Sequence, residues 1–302
     1  MSFPAESVEP CPRRTDLWRT YFELTKPKVV LLIVFTAIVG MCLATQGMVP
    51  LDVLVFGTLG IGLAAASGAA FNHVADSRID ALMARTNGRP LPTGSLNARA
   101  AVIFASGLTL SSAIILVAFI NTLTAVLTFL SMVGYSVVYT VYLKRATPQN
   151  IVIGGAAGAM PPVLGWAAVT GTVHPHALLL FALVFTWTPP HFWALAIHRH
   201  QDYARADIPM LPVTHGIPYT RLQILLYTVL MVFVSLLPFA TQMSGLIYLI
   251  GAIVLGALFL WEAWKLYVRP ADHSQPMRTF AYSIWYLTAM FTLLLADHYL
   301  LM

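Results

Sequence analysis

Apolar residues gather into nine runs, at 29–46, 51–73, 100–119, 122–142, 151–170, 176–197, 222–240, 245–264 and 279–297. Each approaches the roughly 20 residues that a helix needs to cross the hydrocarbon core of a bilayer. The pattern therefore predicts an all-α polytopic membrane protein with nine transmembrane helices. Small residues crowd 59–70 and 154–159, where they let helix backbones approach closely. The sixth run carries Pro189 and Pro190 in mid-span. Proline removes a backbone donor and clashes with the preceding turn, so a kink or break is expected there. Residues 15–25 alternate apolar and polar faces; they read either as a short helix lying in the membrane interface or as a loosely ordered tail.

The polar connections alternate in character. Those at 47–50, 120–121, 171–175 and 241–244 lack Lys and Arg, and all 17 basic residues fall in 1–28, 74–99, 143–150, 198–221 and 265–278. Under the positive-inside rule the N-terminus and the second set face the cytoplasm, and the C-terminus faces out. Residues 1–28 read as a cytoplasmic N-terminal segment and 29–302 as one transmembrane domain, since no long polar linker divides the chain.

Composition agrees. Only 10% of the residues are charged and 58% are hydrophobic, against about 25% charged in a soluble domain. A net charge of +5 would point to nucleic acid in a soluble protein; here membrane topology explains it, and no nucleic-acid partner is expected. Cys11 and Cys42 form no CxxC or disulfide framework. Glu6, Glu9 and Asp16 argue against a transit peptide, so a bacterial inner membrane is expected.

Chemistry concentrates at 72–94, NHVADSRIDALMARTNGRPLPTG, the most polar stretch of the chain. Asn72, Asp76 and Asp80 recur every four residues, drifting by only about 40° per step, so they share one helical face. Mg²⁺ favours one or two carboxylates plus substrate phosphates, and Arg85 and Arg89 follow just beyond. This reads as a Mg²⁺-diphosphate site at a membrane surface, or as a helix end that charges up as it leaves the bilayer. On the same side, 198–212 carries Asp202, Tyr203, Arg205 and Asp207. The two acids are five residues apart, out of phase on a continuous helix, and converge only if the helix ends between them. A third patch closes run four, with Tyr135, Tyr139 and Tyr142 leading to Lys144 and Arg145. Its tyrosines offer a face for a cation and its basic pair a seat for a diphosphate; equally, they form an interface belt with topology charges. Glu262 has an ordinary i,i+3 partner in Lys265, and Asp52, Asp272 and Asp297 sit at loop edges, where solvation is expected. Among nine histidines, His73 adjoins the acidic face, His191 follows the prolines and His198 closes run six.

The spacing N-x₃-D-x₃-D followed by R-x₃-RPLP-x-G resembles the first motif of the UbiA-type intramembrane aromatic prenyltransferases. The stretches ELTKPKV (23–29), YLKRATPQNIVIGGAAGAMPPVLGW (142–166) and WTPPHFWALAIHRHQDYARADIPMLPV (187–213) are similar to the haem-farnesylating branch of that family. The resemblance spans nearly the whole chain. It implies nine helices around a central cavity open to the cytoplasmic side. It implies transfer of a farnesyl group from farnesyl diphosphate to a vinyl group of haem b, giving haem O for haem-copper terminal oxidases, with one or two Mg²⁺ ions. Partners on this view are the two substrates, the bilayer, and a haem A synthase or oxidase assembly. The resemblance assigns metal binding to Asn72, Asp76, Asp80 and Asp202, with Asp207 at an unusual spacing. Arg85, Arg89, Lys144 and Arg145 would hold diphosphate, and Tyr139 would face the allylic cation. Tyr203, His191 and His198 would line the substrate site. Other classes remain: a prenyltransferase for a quinone or other aromatic acceptor, a secondary transporter with a helix broken at Pro189–Pro190, and a haem-delivery subunit.

Overall fold

The computed structural model describes residues 14–83 and 86–300. Short α1 (Arg14–Leu24) meets α2 (Pro27–Leu43) at a bend of 50°. The long α3 (Leu51–Asp80) and α4 (Ala98–Phe119) follow. Next, α5 (Thr122–Val133) runs without a break through a π-helical segment, Gly134–Leu143, into the single turn α6 (Lys144–Ala146). Helices α7 (Asn150–Ala159) and α8 (Pro161–Thr170) form one span, joined where Pro161 and Pro162 interrupt the ladder. Beyond lie α9 (Pro175–His198), the short α10 (His200–Arg205) and α11 (Leu211–Thr214), and then α12 (Ile217–Ala240), α13 (Leu246–Val268) and α14 (Gln275–Leu300). Among the described residues every element is helical, and eight helices are long and apolar enough to cross a membrane, or nine when the bent α1–α2 pair counts as one span. The apolar runs locate these helices closely. The helices outrun the runs mainly at the charged ends, as in α3, which carries seven polar-rich residues past 73.

Local signals set several ends. Asn97 caps α4 by accepting from the Ala100 amide at 2.7 Å, and Asn121 caps α5 from Thr124 at 2.8 Å. Asn121 also donates to the Ala167 carbonyl at 3.0 Å, tying α5 to the end of α8. Neighbours in space form a ring: α2, α3, α4, α5 with its π segment, α7–α8, α9, α12, α13, α14, and α2 again. Helices α7–α9 are mostly buried, while α4 and α5 show apolar side chains such as Ile103, Leu110 and Phe129 on the outside. Water would penalise that surface; lipid does not.

Lipid also removes most of the hydrophobic drive for one helix to join another, leaving close packing and interhelical hydrogen bonds. Both are present. A Cβ on Gly165 would lie 1.9 Å from the Ala37 carbonyl oxygen, so α8 rests on the backbone of α2. Ser67 donates to the Ala105 carbonyl at 2.8 Å and Ser112 to that of Gly60 at 2.7 Å, linking α3 to α4. The Trp187 indole donates to the Ser283 carbonyl at 2.7 Å, linking α9 to α14. Each such bond contributes about 0.6 kcal/mol on average in a membrane.

One expectation is narrowed and one corrected. Of the kink or break expected in α9, no break occurs: the helix runs on through Pro189 and Pro190. The Thr186 and Thr188 hydroxyls bond back to the Ala182 and Val184 carbonyls, both at 2.8 Å, which holds the turn preceding the prolines. Asp297 is not a solvated loop-edge acid but is 2% exposed. Its carboxylate accepts from the Gly245 and Tyr248 amides, the latter at 3.0 Å, and so caps α13 from α14.

Candidate active site

At the basic end of the bundle the last turns of α3 are enclosed. Asn72, Asp76 and Asp80 are all under 5% exposed, whereas Arg78, between them, points outward. The four-residue spacing puts all three on the buried stripe, and each is met by a different part of the chain. The Lys26 ammonium, at the bend between α1 and α2, donates to Asn72 Oδ1. Lys26 holds a left-handed backbone, φ 49°. Desolvation, then the Arg89 guanidinium, push its ammonium down to about 7, opposed by Asp76. Asn72 Nδ2 donates to Asp76 Oδ2 at 2.9 Å and to Thr140 Oγ1 at 3.1 Å. Lys144 Nζ reaches the same Asp76 oxygen at 2.6 Å. Arg89 Nη1 pairs with Asp80 Oδ2 at 2.7 Å. Arg145 leans on the end of α3 through the Ala75 carbonyl at 3.2 Å.

The other Asp76 oxygen, Oδ1, is buried without a hydrogen-bond partner among the described residues. A carboxylate with one oxygen engaged and one stranded is a strong acceptor in a low-dielectric place. Hard oxygen donors of this kind suit Mg²⁺ when diphosphate oxygens complete its shell. Among the described residues no three His, Cys, Asp or Glu side chains gather closely enough to hold an ion by themselves.

The π-helical segment changes the aromatic patch. Tyr135 and Tyr139 stack with ring centroids 5.7 Å apart, and Tyr139 lies over Gly154 of α7, where an added Cβ would stand 2.2 Å from the ring. Tyr142 instead is 65% exposed. The i→i+5 bonding widens each turn, so a seven-residue step no longer returns to the same face; the expected three-tyrosine face is a pair.

The remaining candidates scatter. Asp202 pairs with Arg199 at 3.8 Å. Asp207 is exposed in a left-handed conformation, φ 50°, after α10 has ended, as the pattern anticipated. Tyr203 is buried in the apolar cluster with Trp193 and Met210. His191 is enclosed, bonded through Nδ1 to Ser283 at 2.6 Å and stacked between Trp187 and Phe280. His198 is exposed. Arg85 lies outside the described residues. The residues that spacing alone missed are Lys26 and Thr140, although the ELTKPKV stretch already marked the first.

The helical bundle has solved counterparts. It superposes on a digeranylgeranylglyceryl phosphate synthase with a TM-score of 0.77, at 18% identity over 93% of this chain and 98% of that one. It superposes on a UbiA homologue from Archaeoglobus fulgidus, bound to DMAPP and Mg²⁺, with a TM-score of 0.63, at 16% identity over 91% and 99%. These likenesses define the fold as that of an intramembrane UbiA-like bundle. The chain belongs to the UbiA prenyltransferase family, whose profile matches residues 33–293. It is 61% identical over 285 residues to the protoheme IX farnesyltransferase of Thioalkalivibrio sulfidiphilus, covering 94% of each chain. It is 60% identical to that of Methylococcus capsulatus, covering 94% of this chain and 95% of that one.

Proposed function

We propose that the protein transfers the farnesyl group of farnesyl diphosphate to a vinyl group of haem b, with addition of water, giving haem O and diphosphate. The observation that carries this is the buried Asn72–Asp76–Asp80 stripe ringed by Lys26, Lys144 and Arg89, in a chain so close to protoheme IX farnesyltransferases along its length.

Without substrate the cations and acids neutralise one another. With substrate, Asp76 through its stranded oxygen, Asp80 and Asn72 would hold Mg²⁺, releasing Lys144 and Arg89 toward the diphosphate, with Arg85 and Arg145 beside them. The ion supplies charge neutralisation for the leaving diphosphate. A second ion would draw on Asp202, freed from Arg199, and on Asp207 turned inward. As the allylic C–O bond breaks, its electron pair leaves with the diphosphate, where the cationic side chains meet the growing charge. Tyr139, stacked on Tyr135, faces the farnesyl cation and excludes water from it. The vinyl π electrons form the new C–C bond; water adds to the resulting cation and releases a proton. No protein nucleophile takes part. His191, His198 and Tyr203 would lie on the haem side, along α9 and α10.

On this reading residues 29–302 act as one domain around a cavity open to the cytoplasm. Residues 1–28 are cytoplasmic, the membrane is a bacterial inner membrane, and the product passes to a haem A synthase or a terminal oxidase. Membranes holding the protein, given haem b, farnesyl diphosphate and Mg²⁺, should yield haem O by mass spectrometry. Folded protein that yields none would overturn the proposal.

A further inference from the structure

His73 is among the most enclosed polar side chains of the described residues, 2% exposed, yet neither ring nitrogen has a hydrogen-bond partner. Burial without a partner is unfavourable, and native structures avoid it. His191, also enclosed, obeys that rule through Ser283. His73 precedes Asp76 by three residues and Asp80 by seven, about two turns, so the three share a stripe of α3. The charges that act on its ring are those of Lys26 and Arg89. Those two cations already engage Asn72 and Asp80. The imidazole is left as an uncommitted donor in a ring of groups suited to an anion.

We infer that His73 binds the diphosphate of the prenyl substrate, donating a ring N–H to one of its oxygens, and that the substrate is its missing partner. This rests on the function proposed above and adds a residue to its binding site. The ring carries an N–H whether neutral or protonated, so the contact needs no titration. No proton is transferred: as the allylic C–O bond breaks and its electron pair stays on the diphosphate, a donor already in place and already free of water meets the added charge.

The test uses the full chain in detergent with three variants. His73→Leu and His73→Phe remove the donor and keep the space filled; His73→Gln keeps a donor. Thermal unfolding is followed with and without Mg²⁺ and inorganic diphosphate, and kinetics with farnesyl diphosphate. Without diphosphate the two apolar variants should unfold no earlier than the parent, because a stranded polar group has been removed. With diphosphate their rise in unfolding temperature should be largely lost. Their kcat/KM for farnesyl diphosphate should fall roughly 10²-fold, as for loss of one oxyanion donor, with KM for haem b unchanged. His73→Gln should recover most of both. The inference is overturned if the apolar variants keep the full diphosphate-dependent rise, or if they unfold early without ligand, which would make the ring structural. It is also overturned if the parent gains nothing from diphosphate. A parent stabilised through His73 that makes no haem O would sink the reaction proposed above and leave this inference standing.

Discussion

Asp76 carries two unequal oxygens, one held by Lys144 and Asn72, the other buried and unengaged. On the proposed reading, the second oxygen is the one that would meet Mg²⁺. Asp76→Asn keeps the shape and removes the charge; turnover of farnesyl diphosphate should drop by 10²-fold or more, by about the contribution of one electrostatic contact to the transition state, and haem O formation measures it. Lys144→Met should raise KM for farnesyl diphosphate and leave haem binding nearly intact; the opposite split would refute its assignment. The acid stripe was legible because its three members lie within nine residues on one helix. Two of its partners were not. Asn72 meets Lys26 across 46 residues and Thr140 across 68, and no local spacing encodes which bend or turn will arrive there. His73 was visible as a neighbour of the acids, but its lack of partners is a property of packing alone.

At the scale of elements, hydropathy located the spans well and their internal irregularities poorly. A run that is apolar on every side carries no phase, so the π-helical Gly134–Leu143 leaves no trace in the sequence, though it decides that Tyr139 faces Gly154 while Tyr142 faces out. The prolines of α9 allowed a break that does not occur, because threonine hydroxyls and burial among neighbours keep the helix whole. Gly154 gives a direct check on the π segment. A Cβ there cannot coexist with the Tyr139 ring. Gly154→Ala should cost about 1–3 kcal/mol, the usual range for overpacking, and should lower kcat more than it raises KM for diphosphate, because the aromatic pair moves while the cations stay. Comparing thermal unfolding and steady-state constants of this variant with the parent tests both halves.

For the molecule as a whole, charge divides the two ends. Lys26, Arg89, Lys144 and Arg145 bond within one end, and the other end is closed by neutral contacts and by Asp297. With Cys11 and Cys42 replaced, a cysteine at Ser95 should react with an impermeant thiol reagent only from the cytoplasmic side, and one at Thr172 only from outside. The reverse labelling would invert the proposed orientation. Asp297→Ala should lower stability by about 1–2 kcal/mol, as for loss of a helix cap, without changing turnover per folded molecule, since it lies at the end away from Asp76. The cap also bears on how the bundle is assembled. The first turn of α13 takes its acceptor from 52 residues downstream, so the start of one helix and the end of the next close this end of the bundle only together: a local cap is here written as a long-range contact.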